Sequence, residues 1–162
     1  MTAMLNSYVS FVRGETAEKI EETNINDLIE IICKSNSSDN FKIKYNFEKN
    51  IKTLCRPIQI KRALQNILDN AKRYADKIQI DLGEKNNELY IAISDNGPGI
   101  PEKNYEDVFK PFFTLDPSRN KLKGESGLGL TITRDIIRSH GGEIKLLKSE
   151  MNGLKIILYL PL

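Results

Sequence analysis

Asn66, Asn70 and Arg73 follow one another at spacings of four and three, the steps that line side chains up on one stripe of a helix. Ile60, Leu64, Ile67, Leu68 and Ala71 mark an adjacent apolar stripe of the same helix, which the pattern predicts to start near Pro57, a residue suited to the first helical turn. The polar stripe therefore borders a core and looks into a crevice. A carboxamide oxygen is a hard, neutral donor that Mg2+ accepts while keeping waters and phosphate oxygens as its other ligands. Asn70 is accordingly the candidate metal ligand. Asp69 is turned away from that stripe by about 100° and is not assigned as a base.

Two glycine-bearing loops follow. The first, D-N-G-P-G-I (Asp95 to Ile100), closes a run from Leu89 in which apolar residues alternate as in a half-buried strand. A carboxylate fixed there could accept a hydrogen bond from the exocyclic amine of adenine, and Gly97 and Gly99 let backbone approach a flat ring. The second, S-G-L-G-L (Ser126 to Leu130), opens a helical pattern through Ile132, Ile136 and Ile137. Free N–H groups and a partial positive charge at such a helix start suit a triphosphate. An aromatic F-K-P-F-F (Phe109 to Phe113) lies between the two loops. Taken singly, a helical Asn reads as a solvated surface residue, D-N-G as a hairpin turn and Ser126 as an N-cap. Their order favours one nucleotide pocket. It is neither a P-loop nor a dinucleotide fingerprint, because no Gly-Lys-Ser/Thr and no G-x-G-x-x-G is present.

These segments resemble the catalytic ATP-binding domain of sensor histidine kinases, within the GHKL superfamily, over roughly residues 24 to 162. Asn66 to Ala75 is similar to the family's N box, Asp95 to Ile100 to its first glycine box, Val108 to Thr114 to its F box, and Ser126 to Leu130 to its second glycine box. The resemblance implies Mg-ATP as ligand, with Asn70 on Mg2+ and Asp95 on adenine. Arg73, Tyr74, Phe109 and Lys110 would lie near the nucleotide with Ile100, and Gly127, Leu128, Gly129, Leu130 and Thr131 along the phosphates. One departure is Glu125, which stands where many members have glycine, while a glycine occurs one place earlier as Gly124. A carboxylate there would repel phosphates unless it points outward.

In the hydrolysing relatives the resemblance implies a Glu four residues before the metal-binding Asn. Here Asn66 takes that place. An amide has no useful basicity near neutral pH, so phosphoryl transfer is favoured over hydrolysis, with Asn66, Asn70 and Lys110 as the catalytic set. The acceptor the family implies is a histidine on a dimerisation domain, which passes its phosphate to a response regulator. The single histidine here, His140 in R-S-H-G-G, reads instead as a C-terminal helix cap favoured by the dipole, and the acidic H-E-x-x-x-P context of the phosphoacceptor is absent. Leu5, Tyr8, Val9 and Val12 form a short apolar stripe before R-G-E-T, similar to the tail of the dimerisation hairpin. Residues 1–15 are therefore expected to be the end of that helix and 16–162 the ATP-binding domain; a self-contained N-terminal helix is the alternative. R-G-E suggests an osmosensor-type subgroup. The parent expected from the resemblance is a membrane-bound homodimer of the bacterial inner membrane, with this part in the cytoplasm.

Composition agrees with one small domain. The chain has 162 residues and a net charge of +2, from 24 basic and 22 acidic side chains, which gives no general reason to invoke nucleic acid. A basic cluster, Arg119, Lys121 and Lys123, lies in the stretch between Phe113 and Gly127, where it either covers a triphosphate or forms a solvated loop. Cys33 and Cys55 are too few for a disulfide framework or zinc site and fit a reducing compartment. Periodicity predicts helices near 2–12, 26–34, 57–75 and 127–140. Strands are expected at 41–47, 51–55, 78–82, 89–95, 143–148 and 154–160, the last two joined through Asn152-Gly153. Helices on one face of a largely antiparallel mixed sheet make an α+β two-layer sandwich, the Bergerat-type arrangement that the resemblance implies. A serine kinase of the anti-sigma-factor type and a non-catalytic ATP-dependent interaction module are the competing readings.

Overall fold

A computed structural model describes residues 18–115 and 127–162. The expected helix at 2–12, the boundary at residue 15, and Arg119, Lys121, Lys123, Glu125 and Ser126 lie outside the described residues.

The described residues open with strand β1 (Glu21–Asn24) and helix α1 (Ile25–Asn36). The Asn24 side chain caps α1 by accepting from the Asp27 N–H at 3.2 Å. Strands β2 (Lys42–Phe47) and β3 (Lys52–Cys55) precede helix α2 (Pro57–Lys72). Then come β4 (Lys77–Lys85) and β5 (Glu88–Asp95), two 3-10 turns at Glu102–Asn104 and Asp107–Phe109, helix α3 (Gly129–Ser139), and β6 (Glu143–Lys148) and β7 (Leu154–Pro161).

Five strands form one sheet in the order β2-β4-β5-β7-β6, with β2 parallel to β4 and every other neighbour antiparallel. The registers align Ile80, Ile93, Ile156 and Leu146 in one row and Leu82, Ile91, Leu158 and Ile144 in the next. Alternation puts both rows on one face, and all eight side chains are buried. Ile25, Ile29 and Ile32 of α1, Ile60, Leu64, Ile67 and Leu68 of α2, and Ile132, Ile136 and Ile137 of α3 join them in a single core. Each such side chain contributes about 1.5–3 kcal/mol on burial. The α+β two-layer sandwich expected from the sequence is the observed architecture.

Three features differ from the periodicity. Strand β1 pairs with β3 as a separate two-stranded ribbon; E-E-T-N carries no apolar alternation to announce it. Phe41, expected in the strand, lies before β2 in an isolated bridge with Ser38 and turns its ring into the core. Strands β4 and β5 extend into a hairpin closed by Asn86 and Asn87, both with positive φ (54° and 62°), as the twist of a two-residue hairpin requires and asparagine tolerates.

Candidate functional site

Helix α2 carries the first group of site residues because its apolar stripe is committed to the core, leaving the neighbouring stripe on the lip of the helical layer. Asn66 and Asn70 are half-buried. The Asn66 amide lies 3.4 Å from the Gly129 carbonyl, to which it donates. The opposite end of the stripe meets the other glycine loop: a Cβ on Gly97 would stand 3.1 Å from the Tyr74 carbonyl oxygen. Helix α2 thus touches the second glycine box through Asn66, and the turn that follows the helix approaches the first. Arg73 caps the helix in αR geometry and Tyr74 follows in the turn, so the expected stripe continues past the last regular turn. Asp69 sits on the other flank and accepts from Gln65 at 2.8 Å, in a network with Asn36 of α1, away from the cleft as its phase demands.

Asp95 ends β5 with one oxygen fully employed. Its Oδ1 accepts from the Gly97 N–H at 2.9 Å and the Leu154 N–H at 3.0 Å; among the described residues Oδ2 receives no hydrogen bond. Burial raises the Asp95 pKa, and the two backbone donors only partly oppose that. A desolvated carboxylate with a spare oxygen is suited to a ligand N–H donor. Gly99 adopts φ +74° against the Asn152 and Gly153 carbonyls. Gly153 was legible in the sequence only as a turn cue, yet a Cβ there would lie 2.1 Å from Asp95 Oδ1. It forms the wall behind the carboxylate, a role that only the β6–β7 turn's position against β5 discloses. Asn96 faces outward, where its Oδ1 accepts from the Asp76 and Lys77 N–H groups at 3.0 Å. A shallow cleft of about 230 Å³ between Asn96 and the end of α2 includes Arg73 and Tyr74 but not Asp95, Gly97 or Phe109.

The F-box segment is tied to α3. Phe109 is buried, its carbonyl accepts from the Thr131 hydroxyl at 2.7 Å, and Arg134 lies over its ring at 4.4 Å while bridging Glu106 at 2.7 Å. The Phe112 N–H donates to the Gly127 carbonyl at 2.8 Å. Gly127 has φ +73°, and a Cβ there would stand 2.7 Å from Phe112 Cα, so both its handedness and its contact require glycine. Leu128 is buried at the N-terminus of α3, and Leu130 and Ile100 pack on the rim of the core. Lys110 projects into solvent, paired at 2.8 Å with Asp107, which raises the lysine pKa and lowers that of the aspartate.

His140 caps α3 as expected, but as a neutral donor rather than a cation. The Arg56 N–H can only donate, and it reaches His140 Nε2 at 3.0 Å. Nδ1 therefore carries the proton and gives it to the Ile136 carbonyl at 2.7 Å. No cluster of three or more His, Cys, Asp or Glu side chains suited to a metal occurs among the described residues. The chemistry still fits Mg2+, which would be held by one amide oxygen together with phosphates and water, and the half-buried Asn70 amide makes no hydrogen bond among the described residues.

A helical layer whose lip meets two glycine loops lies over a mixed sheet in a two-layer α/β sandwich. Residues 55–162 match the family described as histidine kinase-, DNA gyrase B-, and HSP90-like ATPase, and the chain belongs to that family. It is 37% identical over 107 residues to the sensor histidine kinase GtrS of Pseudomonas aeruginosa, covering 65% of this chain and 22% of GtrS. Against the signal transduction histidine-protein kinase ArlS of Staphylococcus aureus it is 34% identical over 147 residues, covering 86% of this chain and 32% of ArlS. The chain thus spans less than a third of either relative. Among solved structures, the histidine kinase domain of the E. coli osmosensor EnvZ aligns with a TM-score of 0.68 at 30% identity, over 88% of each chain. No helix among the described residues is long and apolar enough to cross a membrane.

Proposed function

We propose that this chain is the catalytic domain of a sensor histidine kinase, binding Mg-ATP between α2 and the two glycine loops and passing the γ-phosphoryl group to a histidine on a dimerisation domain. The observation that carries this reading is the convergence on α2 and the turn that ends it, with Gly129 against Asn66 and Gly97 against the Tyr74 carbonyl. Asp95 accepts from the adenine amine through Oδ2. Asn70 holds Mg2+, which neutralises charge on the transferring phosphoryl group. The amides at Gly127, Leu128 and Gly129 line the phosphates, and Arg73 and Tyr74 flank the nucleotide. Lys110 reaches it on leaving Asp107. Asn66 supplies no base for water, so the phosphoryl group waits for a better-placed acceptor. The parent protein is a membrane-bound homodimer of the bacterial inner membrane, and the phosphohistidine serves a response regulator.

The test is to mix the purified chain with labelled ATP and a separate histidine-hairpin domain from a related kinase. Acid-labile, base-stable label on the hairpin supports the reading. Acid-stable label indicates the serine kinase, and nucleotide binding without any transfer leaves the non-catalytic module.

A further inference from the structure

The start of α2 lacks a cap of its own. Arg56 occupies the N-cap position, and its side chain makes no capping hydrogen bond. Four backbone N–H groups at a helix start ordinarily need outside partners, and here each is accounted for. Pro57 has none, and the Arg56 N–H goes to His140 Nε2. The remaining two, from Ile58 and Gln59, both go to the carboxylate of Glu18, some forty residues earlier: Ile58 to Oε2 at 2.6 Å and Gln59 to Oε1 at 3.0 Å. The first bond within the helix, Ile60 N–H to the Arg56 carbonyl, follows at 3.0 Å. The Arg56 guanidinium meanwhile reaches Ser139 Oγ at 2.9 Å.

We propose that Glu18 is a positioning residue for the nucleotide: its carboxylate fixes the N-terminus of α2 and thereby the placement of Asn66, Asn70 and Arg73 farther along the same rigid helix. The inference rests on the reading of α2 as the helix that carries the nucleotide ligands. A carboxylate at this end also meets the positive pole of the helix. Asn70 lies twelve residues beyond Ile58, about 18 Å along the axis, so a small tilt at the anchored end becomes a displacement at the metal ligand. The same corner is bolted to the C-terminal end of α3 through Arg56, Ser139 and His140, and α3 begins at the second glycine box. Glu18 thus anchors the corner at which α2 and the end of α3 meet.

A matched cap separates positioning from simple stabilisation. Asn24 caps α1, which carries none of the nucleotide ligands. Glu18→Ala, Glu18→Gln and Asn24→Ala are compared in the whole chain by thermal unfolding, by amide hydrogen exchange across residues 66–72 and by titration calorimetry with Mg-ATP. All three variants are expected to melt earlier. Only the Glu18 variants are expected to lose protection across 66–72 and to bind Mg-ATP about fivefold more weakly. Equal exchange and equal affinity in the Glu18 and Asn24 variants would overturn the proposal. Should Glu18→Ala fail to fold, Glu18→Gln, which keeps one acceptor and the side-chain volume, decides it by the same readings. If the unsubstituted chain binds no Mg-ATP, the functional reading fails, while exchange across 66–72 still decides whether Glu18 sets the helix.

Discussion

Asp95 shows how one side chain can cost stability while keeping an oxygen free of the backbone amides around it. Its pKa is raised by burial, so the folded chain holds that proton more tightly than the unfolded chain does. The carboxyl's stabilising contribution is full below about pH 3.9, the unfolded value, and is lost as pH rises through the higher folded value. Asp95→Asn keeps an oxygen for the Gly97 and Leu154 amides and removes the buried charge. It is expected to weaken ATP binding at least tenfold by calorimetry, a loss of about 1.4 kcal/mol or more. Its melting temperature should match or exceed that of the unsubstituted chain at pH 7, with the advantage shrinking toward pH 4. Unchanged ATP affinity would remove the base-recognition role. Gly153 makes the complementary case, since any Cβ there collides with Asp95 Oδ1. Gly153→Ala should cost roughly 3 kcal/mol in denaturant unfolding, and a loss below about 0.5 kcal/mol would show that the turn yields freely.

At the scale of elements, α2 and α3 meet along the cleft rather than merely sharing a core. The Asn66 amide to Gly129 and the Thr133 hydroxyl, 2.8 Å from the Gly129 carbonyl and 3.5 Å from the Ala63 carbonyl, stitch the second glycine box to α2. The position that would distinguish transfer from hydrolysis therefore sits at this seam. Asn66→Glu places a potential base one helical turn before Asn70. It is expected to raise phosphate release from ATP about tenfold in a coupled assay. No rise, with nucleotide binding intact, would show that Asn66 is not what withholds water activation. The F-box segment is held to α3 just as firmly, through Thr131, Arg134 and the pairing of Phe112 with Gly127.

For the molecule as a whole, the single histidine is part of the framework. Both ring nitrogens of His140 are engaged, one by the Arg56 N–H and one by the Ile136 carbonyl, so neither offers a free lone pair to a phosphoryl group. Incubation of the chain alone with labelled ATP is expected to leave no phosphohistidine by mass spectrometry. Label on His140 would contradict both its structural role and the need for a partner acceptor. His140→Ala should destabilise the fold by about 1–3 kcal/mol in denaturant titration, because it leaves the Arg56 N–H without its acceptor.

The apolar periods of α1, α2, α3 and the sheet strands were legible in the sequence because burial of one face imposes 3.6- and 2-residue repeats. The order of the four boxes was legible too, since each has a local reason for its residue types. Strand β1 was not, because a short polar ribbon leaves no repeat. Nor were Gly153 behind Asp95 or Glu18 on the start of α2, because these depend on contacts between segments some forty to sixty residues apart, and local propensity carries no record of them. The sequence by itself determined the elements and the candidate side chains they carry; the tertiary structure decided which backbone and carboxylate groups hold those side chains in place, because every buried N–H must find an acceptor and only the folded chain says which one.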